Sequence, residues 1–229
     1  MKQRKGSPSP WLSAGLVAAF FALALFLRVY LPYDKIFTPD GIRFAGVDAY
    51  YHIRLVDNLV QHFPQRITFD PYTSFPYGAG VIWAPFFDWL LGGIIWLVSL
   101  GKPTQHTVDL VGVYFPTVLA ALVTIPVFFI GRLLANNRWA GVLAAGLVAI
   151  MPGEYMGRSI LGFTDHHVAE ALFSTVAMLF LLLAVKSAAE REWSFRDLWR
   201  GGWKSHRRPL VYSFLAGVFL GIYFLTWTG

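Results

Sequence analysis

The stretch Val81–Leu100, VIWAPFFDWLLGGIIWLVSL, sets the number of membrane crossings in this chain and therefore its fold. By length and apolarity it passes for a span, since about 20 apolar residues cross a bilayer core of roughly 30 Å. Its own content argues against that reading. Pro85, Asp88, Gly92 and Gly93 interrupt it, and an unpaired carboxylate at bilayer depth is expensive. The segment is expected to lie against the membrane or dip into it from outside.

Five other apolar runs surround it: Trp11–Leu31, Val108–Leu134, Trp139–Pro152, His167–Val185 and Pro209–Trp227. Basic residues concentrate in the N-terminus (Lys2, Arg4, Lys5), the turn Arg132–Arg138 and the loop Lys186–Arg208. Short loops rich in Lys and Arg stay on the cytoplasmic side. If all six runs span, the Arg132–Arg138 turn falls outside. If Val81–Leu100 does not span, all three basic segments fall inside, and the charges favour that count.

Composition agrees with lipid as the main solvent. Of 229 residues, 56% are hydrophobic and 14% charged, and the mean hydropathy is +0.52. Soluble domains carry roughly a quarter charged residues. The net charge of +6 follows the loops flanking apolar runs, so orientation in a membrane explains it and a nucleic-acid partner is not expected. There is no cysteine, which excludes disulfides and thiolate metal sites. The N-terminal run has no small-residue cleavage site and reads as an uncleaved first helix.

The expected organisation is an all-α polytopic membrane protein of about five spans plus external-loop helices. It has a cytoplasmic N-terminus (1–10), a first span (11–31) and a long external loop (32–107). Spans follow at 108–134, 139–157, 166–185 and 209–229, with a cytoplasmic basic loop at 186–208. The last run reaches the chain end without a polar tail, so a C-terminal portion is expected beyond it. Within the external loop, Leu55, Val56, Leu59, Val60 and Phe63 recur at helical spacing over Asp48–Phe63. Arg54, Asp57, Asn58 and Gln61 take the other face, with His52 read as solvated alongside them. Phe69–Gly78, FDPYTSFPYG, is a shaped interfacial loop of turn formers and aromatics. Pro116 and Pro126 read as kinks.

Two acidic spots fall at the outer ends of spans: Asp48, within Gly46–His52, and Asp165, within Arg158–His167. With five spans both face outward. Asp165 and His167 are two apart and do not share a helix face, but at a loop-to-helix junction they can converge on a hard divalent cation. Asp48 would be the third ligand. Alternatively, Thr164 or Asp165 caps the following helix. Glu170 lies at helical spacing from His166 and His167, either orienting a ligating histidine or forming a structural polar pair. Arg158 suits a diphosphate or an acceptor carboxamide, or snorkels at the interface. Asp88 is assigned no role.

The stretches GVDAYYHIRLVDN (Gly46–Asn58), FDPYTSFPYG (Phe69–Gly78) and MPGEYMGRSILGFTDHHVAEA (Met151–Ala171) resemble the catalytic subunit of oligosaccharyltransferase, in its archaeal and bacterial single-subunit form. The resemblance covers essentially the whole chain. It implies a GT-C-type glycosyltransferase transmembrane region that transfers a glycan from a polyprenyl phosphate or diphosphate to asparagine in Asn-x-Ser/Thr, with Mn2+ or Mg2+. Carried over by motif, Asp48, Asp165 and His167 are the metal ligands, and Asp48, Arg158 and Asp165 the catalytic residues. Arg158 and His52 are the expected substrate contacts. The implied partners are a lipid-linked oligosaccharide, an acceptor polypeptide and the bilayer. One departure stands out: the first motif often reads Asp-x-Asp, and Gly46 replaces the first acid. The family's later glutamate motif and its soluble domain with Trp-Trp-Asp are not in this sequence, so a separate chain carrying them is a further possible partner.

The rival from another class is a membrane transporter or scaffold protein, and a third reading is another lipid-linked sugar transferase. Transporters place ionisable residues near midplane on broken helices, whereas here the acids sit at span ends. Other lipid-linked sugar transferases share an early external acid but not the Asp-His-His motif.

Overall fold

The computed structural model describes residues 7–190 and 203–227. The expectations placed on residues 1–6, 191–202 and 228–229 lie outside the described residues. Ten helices occur among the described residues, with two short antiparallel ladders. They are α1 (Pro10–Tyr30), α2 (Tyr33–Ile36), α3 (Val47–Gln61), α4 (Phe86–Val98), α5 (Gln105–Leu122), α6 (Thr124–Ala135), α7 (Arg138–Ile150), α8 (Glu154–Gly157), α9 (His167–Ala189) and α10 (Trp203–Thr226). Strands β1 (Phe37–Thr38) and β2 (Gly41–Ile42) pair with each other. So do β3 (Phe69–Asp70) and β4 (Ala79–Gly80), and the latter ladder closes the base of the aromatic loop.

Four stretches are long and apolar enough to cross a membrane: Pro10–Tyr30, Gln105–Ala135, His167–Ala189 and Arg207–Thr226. The protein is a multi-pass helical membrane protein. Helix α5 carries Pro116 without interruption, and the break before α6 falls at Val123. Pro126 causes it one turn downstream, because proline has no N–H for the carbonyl four residues back. The expected helix 139–157 is shorter than the sequence reading. It ends at Ile150, since Pro152 cannot extend it and Gly153 adopts φ +85°. The expected loop 186–208 is also shorter, because α9 continues to Ala189 and α10 starts at Trp203.

Helices α4 and α7 have 13 residues each, roughly 20 Å at 1.5 Å per residue. Length therefore does not distinguish them; their partners do. Helix α4 buries Phe87, Asp88, Leu91, Gly92 and Ile95 and packs on α3. A Cβ at Gly92 would stand 2.7 Å from Leu59. Helix α7 forms a hairpin with α6, turned by Asn136 in the left-handed conformation. There the approach is limited by backbone: a Cβ at Gly141 would lie 2.5 Å from the Phe128 carbonyl oxygen.

The chain divides into two compact units. One comprises Met1–Leu23, Ala121–Ile150 and Ala171–Tyr223; the other comprises Ala24–Ala120, Met151–Glu170 and Phe224–Gly229. In the first, Phe128, Val142 and Ala145 form a core against Leu16, Val17 and Phe20. Its sequence holds twelve Lys and Arg against three Asp and Glu. The second holds seven against ten, and contains every residue of the expected site.

Candidate metal and anion site

The segment between α8 and α9 is pinned before it presents its side chains. Gly162 accepts from Ala45 N–H and donates to the Val113 carbonyl, at 2.9 Å each. Its φ of +81°, with Ile36 2.6 Å from where a Cβ would be, requires glycine. Thr164 is fully buried and donates to the Gly112 carbonyl at 2.8 Å. The Arg28 carbonyl accepts from Leu161 N–H, and Arg28 Nε donates to Ser159 Oγ at 2.8 Å. The guanidinium of Arg28 stacks on Tyr155 at 5.1 Å.

Asp165 is buried, and its two oxygens differ sharply. Oδ1 accepts from the His166 backbone N–H at 2.6 Å, and lies 2.5 Å from His166 Nδ1 and 3.3 Å from His52 Nε2. Oδ2 is buried with no hydrogen-bond donor and faces His167 Nε2 at 3.4 Å. Neither Thr164 nor Asp165 serves as the simple cap considered for α9; their oxygens go to Gly112 and His166.

His167 has a defined tautomer. Glu170 Oε1 lies 3.2 Å from Nδ1 and accepts its N–H, which leaves the lone pair on Nε2. Arg158 Nη1 donates to that lone pair, while Arg158 Nε donates to Glu154 at 2.6 Å. A cavity of about 160 Å3 opens here, lined by Glu154, Tyr155, Arg158, His167 and Val168. An unsaturated buried carboxylate oxygen beside an imidazole lone pair is the donor set a hard or borderline divalent cation accepts.

Asp48 occupies the first turn of α3, is exposed, and contributes to the electrostatic field at Arg158. It is thus brought into the charge environment of the cluster, while the tight contacts are made by Asp165, His167 and Arg158. Gly46 precedes α3 with φ +91° and ψ +155°, a region essentially closed to side chains. A Cβ there would meet the Phe163 ring at 3.3 Å. The departure from Asp-x-Asp therefore has a backbone cause.

His52 corrects the sequence reading. It is 1% exposed rather than solvated. Nδ1 lies 2.6 Å from Asp88 Oδ1. Asp88, to which no role was given, is fully buried and also takes Arg66 Nε at 2.9 Å. Trp83 and Phe87 pack edge-on against the His52 ring at 4.8 Å, and Trp227 stacks on His166 at 4.2 Å. Burial pulls the His52 imidazolium down, but hydrogen bonds and charge from Asp165 and Asp88 outweigh it and take its pKa up to about 9. Burial likewise opposes the Asp165 carboxylate, yet His166 and His52 hold its pKa well below the usual range. The result is a buried relay, Arg66–Asp88–His52–Asp165, that orients Oδ1. Only the burial of His52 had a signal in the sequence: it continues the stripe of Leu55, Val56 and Leu59 backward by three and four residues.

This fold defines a multi-pass helical membrane domain. The family described as "Oligosaccharyl transferase STT3, N-terminal" matches residues 13–229, and the chain belongs to it. It is 35% identical over 221 residues to the dolichyl-phosphooligosaccharide-protein glycotransferase 3 of Archaeoglobus fulgidus, covering 94% of this chain and 23% of that one. Among solved structures, the oligosaccharyltransferase of the same organism in its apo form superposes with TM-score 0.82 at 31% identity, covering 96% of this chain and 24% of that one. It also matches structures described as a complex with Zn and sulfate (TM-score 0.79; 93% and 25% of the two chains, 32% identity) and as a complex with an inhibitory peptide and a dolichol-phosphate (0.80; 95% and 24%, 31% identity). The chain spans about a quarter of the length of the relatives it matches.

Proposed function

We propose that this chain supplies part of the catalytic centre for transfer of a glycan from a polyprenyl-phosphate or -diphosphate carrier to asparagine in Asn-x-Ser/Thr. Asp48, Asp165 and His167 would hold Mn2+ or Mg2+. The single observation carrying this is the divided state of Asp165: one oxygen saturated by donors, the other buried, undonated and 3.4 Å from the His167 lone pair. The Zn and sulfate of the A. fulgidus structure, and its dolichol-phosphate, are consistent with a cation and an anion site in such a fold.

When bound, the cation would act as a Lewis acid on the departing lipid phosphate. The chain's own residues do the rest. Glu170 fixes the His167 tautomer. His52 fixes Asp165, so it acts by positioning a ligand rather than by touching substrate. His167 Nε2, which accepts from Arg158, is the atom that would hold the cation, and the Arg158 guanidinium beside it suits the lipid phosphate. Asp48, whose carboxylate is exposed, accepts from the acceptor carboxamide N–H and draws the nitrogen out of conjugation, while Asp165, with one oxygen saturated by donors and the other facing His167, would hold the cation. Attack by that nitrogen forms the bond to the anomeric carbon as the bond from that carbon to the lipid phosphate oxygen breaks, with inversion; the N–H proton passes to the Asp48 carboxylate and the phosphate leaves on its lipid.

We place the site on the non-cytoplasmic face with five crossings, N-terminus inside. The grouping of Ala24–Ala120 with Met151–Glu170 in one unit and the basic excess of the other unit support this.

The test is glycopeptide formation by the complete enzyme, with lipid-linked glycan and an Asn-x-Thr peptide. Asp48→Asn and Asp165→Asn should each cost more than the ~10–100-fold typical of groups behind a ligand, and Glu170→Gln should fall within that range. Normal turnover in Asp165→Asn would contradict the assignment.

A further inference from the structure

Two apolar grooves in the first unit meet at one arginine. The larger, about 630 Å3, runs between α1 and α6, with Val17, Ala18, Phe21 and Ile125 among its walls. The smaller, about 380 Å3, lies between α6 and α9 and is walled by Leu133, Leu179 and Leu183. Phe129 and Arg132 line both, and Arg138 closes the end of the larger one. Both volumes are those of ligand sites, ~300–1,000 Å3.

The charge at this junction lacks a counterpart. Arg132 is half-buried in the last turn of α6, and its guanidinium has no hydrogen-bond or ion-pair partner among the described residues. Arg138 Nη1 donates to the Pro8 carbonyl, which leaves its charge unneutralised. Glu190 is the single acidic residue this unit contributes among the described residues.

We propose that the paired grooves are a binding site for one anionic diacyl phospholipid. The phosphate sits between Arg132 and Arg138, and one acyl chain lies along each groove. The fit is one of charge and lining: two apolar grooves that share one cationic residue match two chains that share one phosphate. Basic pockets between membrane helices on the cytoplasmic side are a recurrent setting for acidic headgroups. This site is separate from the Asp165 cluster and does not depend on the metal reading.

Native mass spectrometry of the purified chain, titrated in detergent with dioleoylphosphatidylglycerol or dioleoylphosphatidylcholine, tests it. Phosphatidylglycerol should give a saturable one-to-one adduct retained at collision energies that strip phosphatidylcholine. Arg132→Ala should weaken it about fivefold. Ala18→Phe, which fills the larger groove but keeps both arginines, should abolish it. Arg43→Ala, an exposed arginine paired with Asp40, should leave it unchanged. Gel filtration of each variant separates loss of binding from loss of fold. Equal retention of the two lipids, retention of neither, or wild-type binding by well-folded Arg132→Ala overturns the proposal.

Discussion

At the residue scale, His52 shows how a charge is kept inside. An imidazolium between Asp88 and Asp165 is worth its desolvation only because both carboxylates hydrogen-bond it, and Arg66 in turn compensates Asp88. Its folded pKa of about 9 lies above the ordinary 6.5. The stability it contributes is therefore fully present below about 6.5 and lost as pH rises through about 9. In EDTA-treated protein, melting temperature should fall between these values, and His52→Gln should flatten that limb while lowering stability at pH 6. A wild-type slope in His52→Gln would place the titration elsewhere. The Asp165–His167–Arg158 grouping was legible from motif spacing alone. The relay was not, because Asp88 sits inside an apolar run where a carboxylate reads only as a reason against spanning. Its partners come from α3 and from Arg66, and pairing between residues 22 to 36 positions apart leaves no local trace.

At the element scale, glycine governs which helices meet. In α7, a Cβ at Gly141 would collide with a backbone oxygen that cannot swing aside. In α4, Gly93 has nothing within 4 Å of the same position. Gly141→Ala should destabilise by about 1–3 kcal/mol through overpacking, whereas Gly93→Ala should be neutral or gain up to ~1 kcal/mol of helix propensity. Thermal unfolding of the two variants compares them directly, and equal effects would show that close approach is not what seats the α6–α7 hairpin. Helix existence was legible from apolar runs, since α1, α5–α6, α9 and α10 each follow one. Ends were less so. The apolar run Trp139–Pro152 anticipates the end of α7 at Ile150, whereas the Val123 break lies upstream of the proline that causes it and left no mark of its own.

At the scale of the whole molecule, charge follows the division into units. The unit carrying Arg132, Arg138 and Lys186 is strongly basic, and the unit carrying Asp48 and Asp165 is mildly acidic. A chain oriented by its basic loops would show this asymmetry if the first unit faced the cytoplasm. The absence of cysteine makes the point testable without removing native thiols. Val47→Cys and Glu154→Cys, both at exposed positions, should react with a membrane-impermeant maleimide in intact cells, and Asn136→Cys only after permeabilisation. Labelling of Val47→Cys and Glu154→Cys from opposite sides would refute five crossings.

The claim on which the functional account rests is that Asp48, Asp165 and His167 hold one divalent cation. Electron paramagnetic resonance of free Mn2+, titrated with the purified protein, measures this without requiring turnover. The account predicts a single saturable site that weakens by more than ~100-fold in each of Asp48→Asn, Asp165→Asn and His167→Ala, beyond the ~10–100-fold range for groups behind a ligand. Wild-type Mn2+ affinity in Asp165→Asn and His167→Ala, with the variants folded, would contradict it.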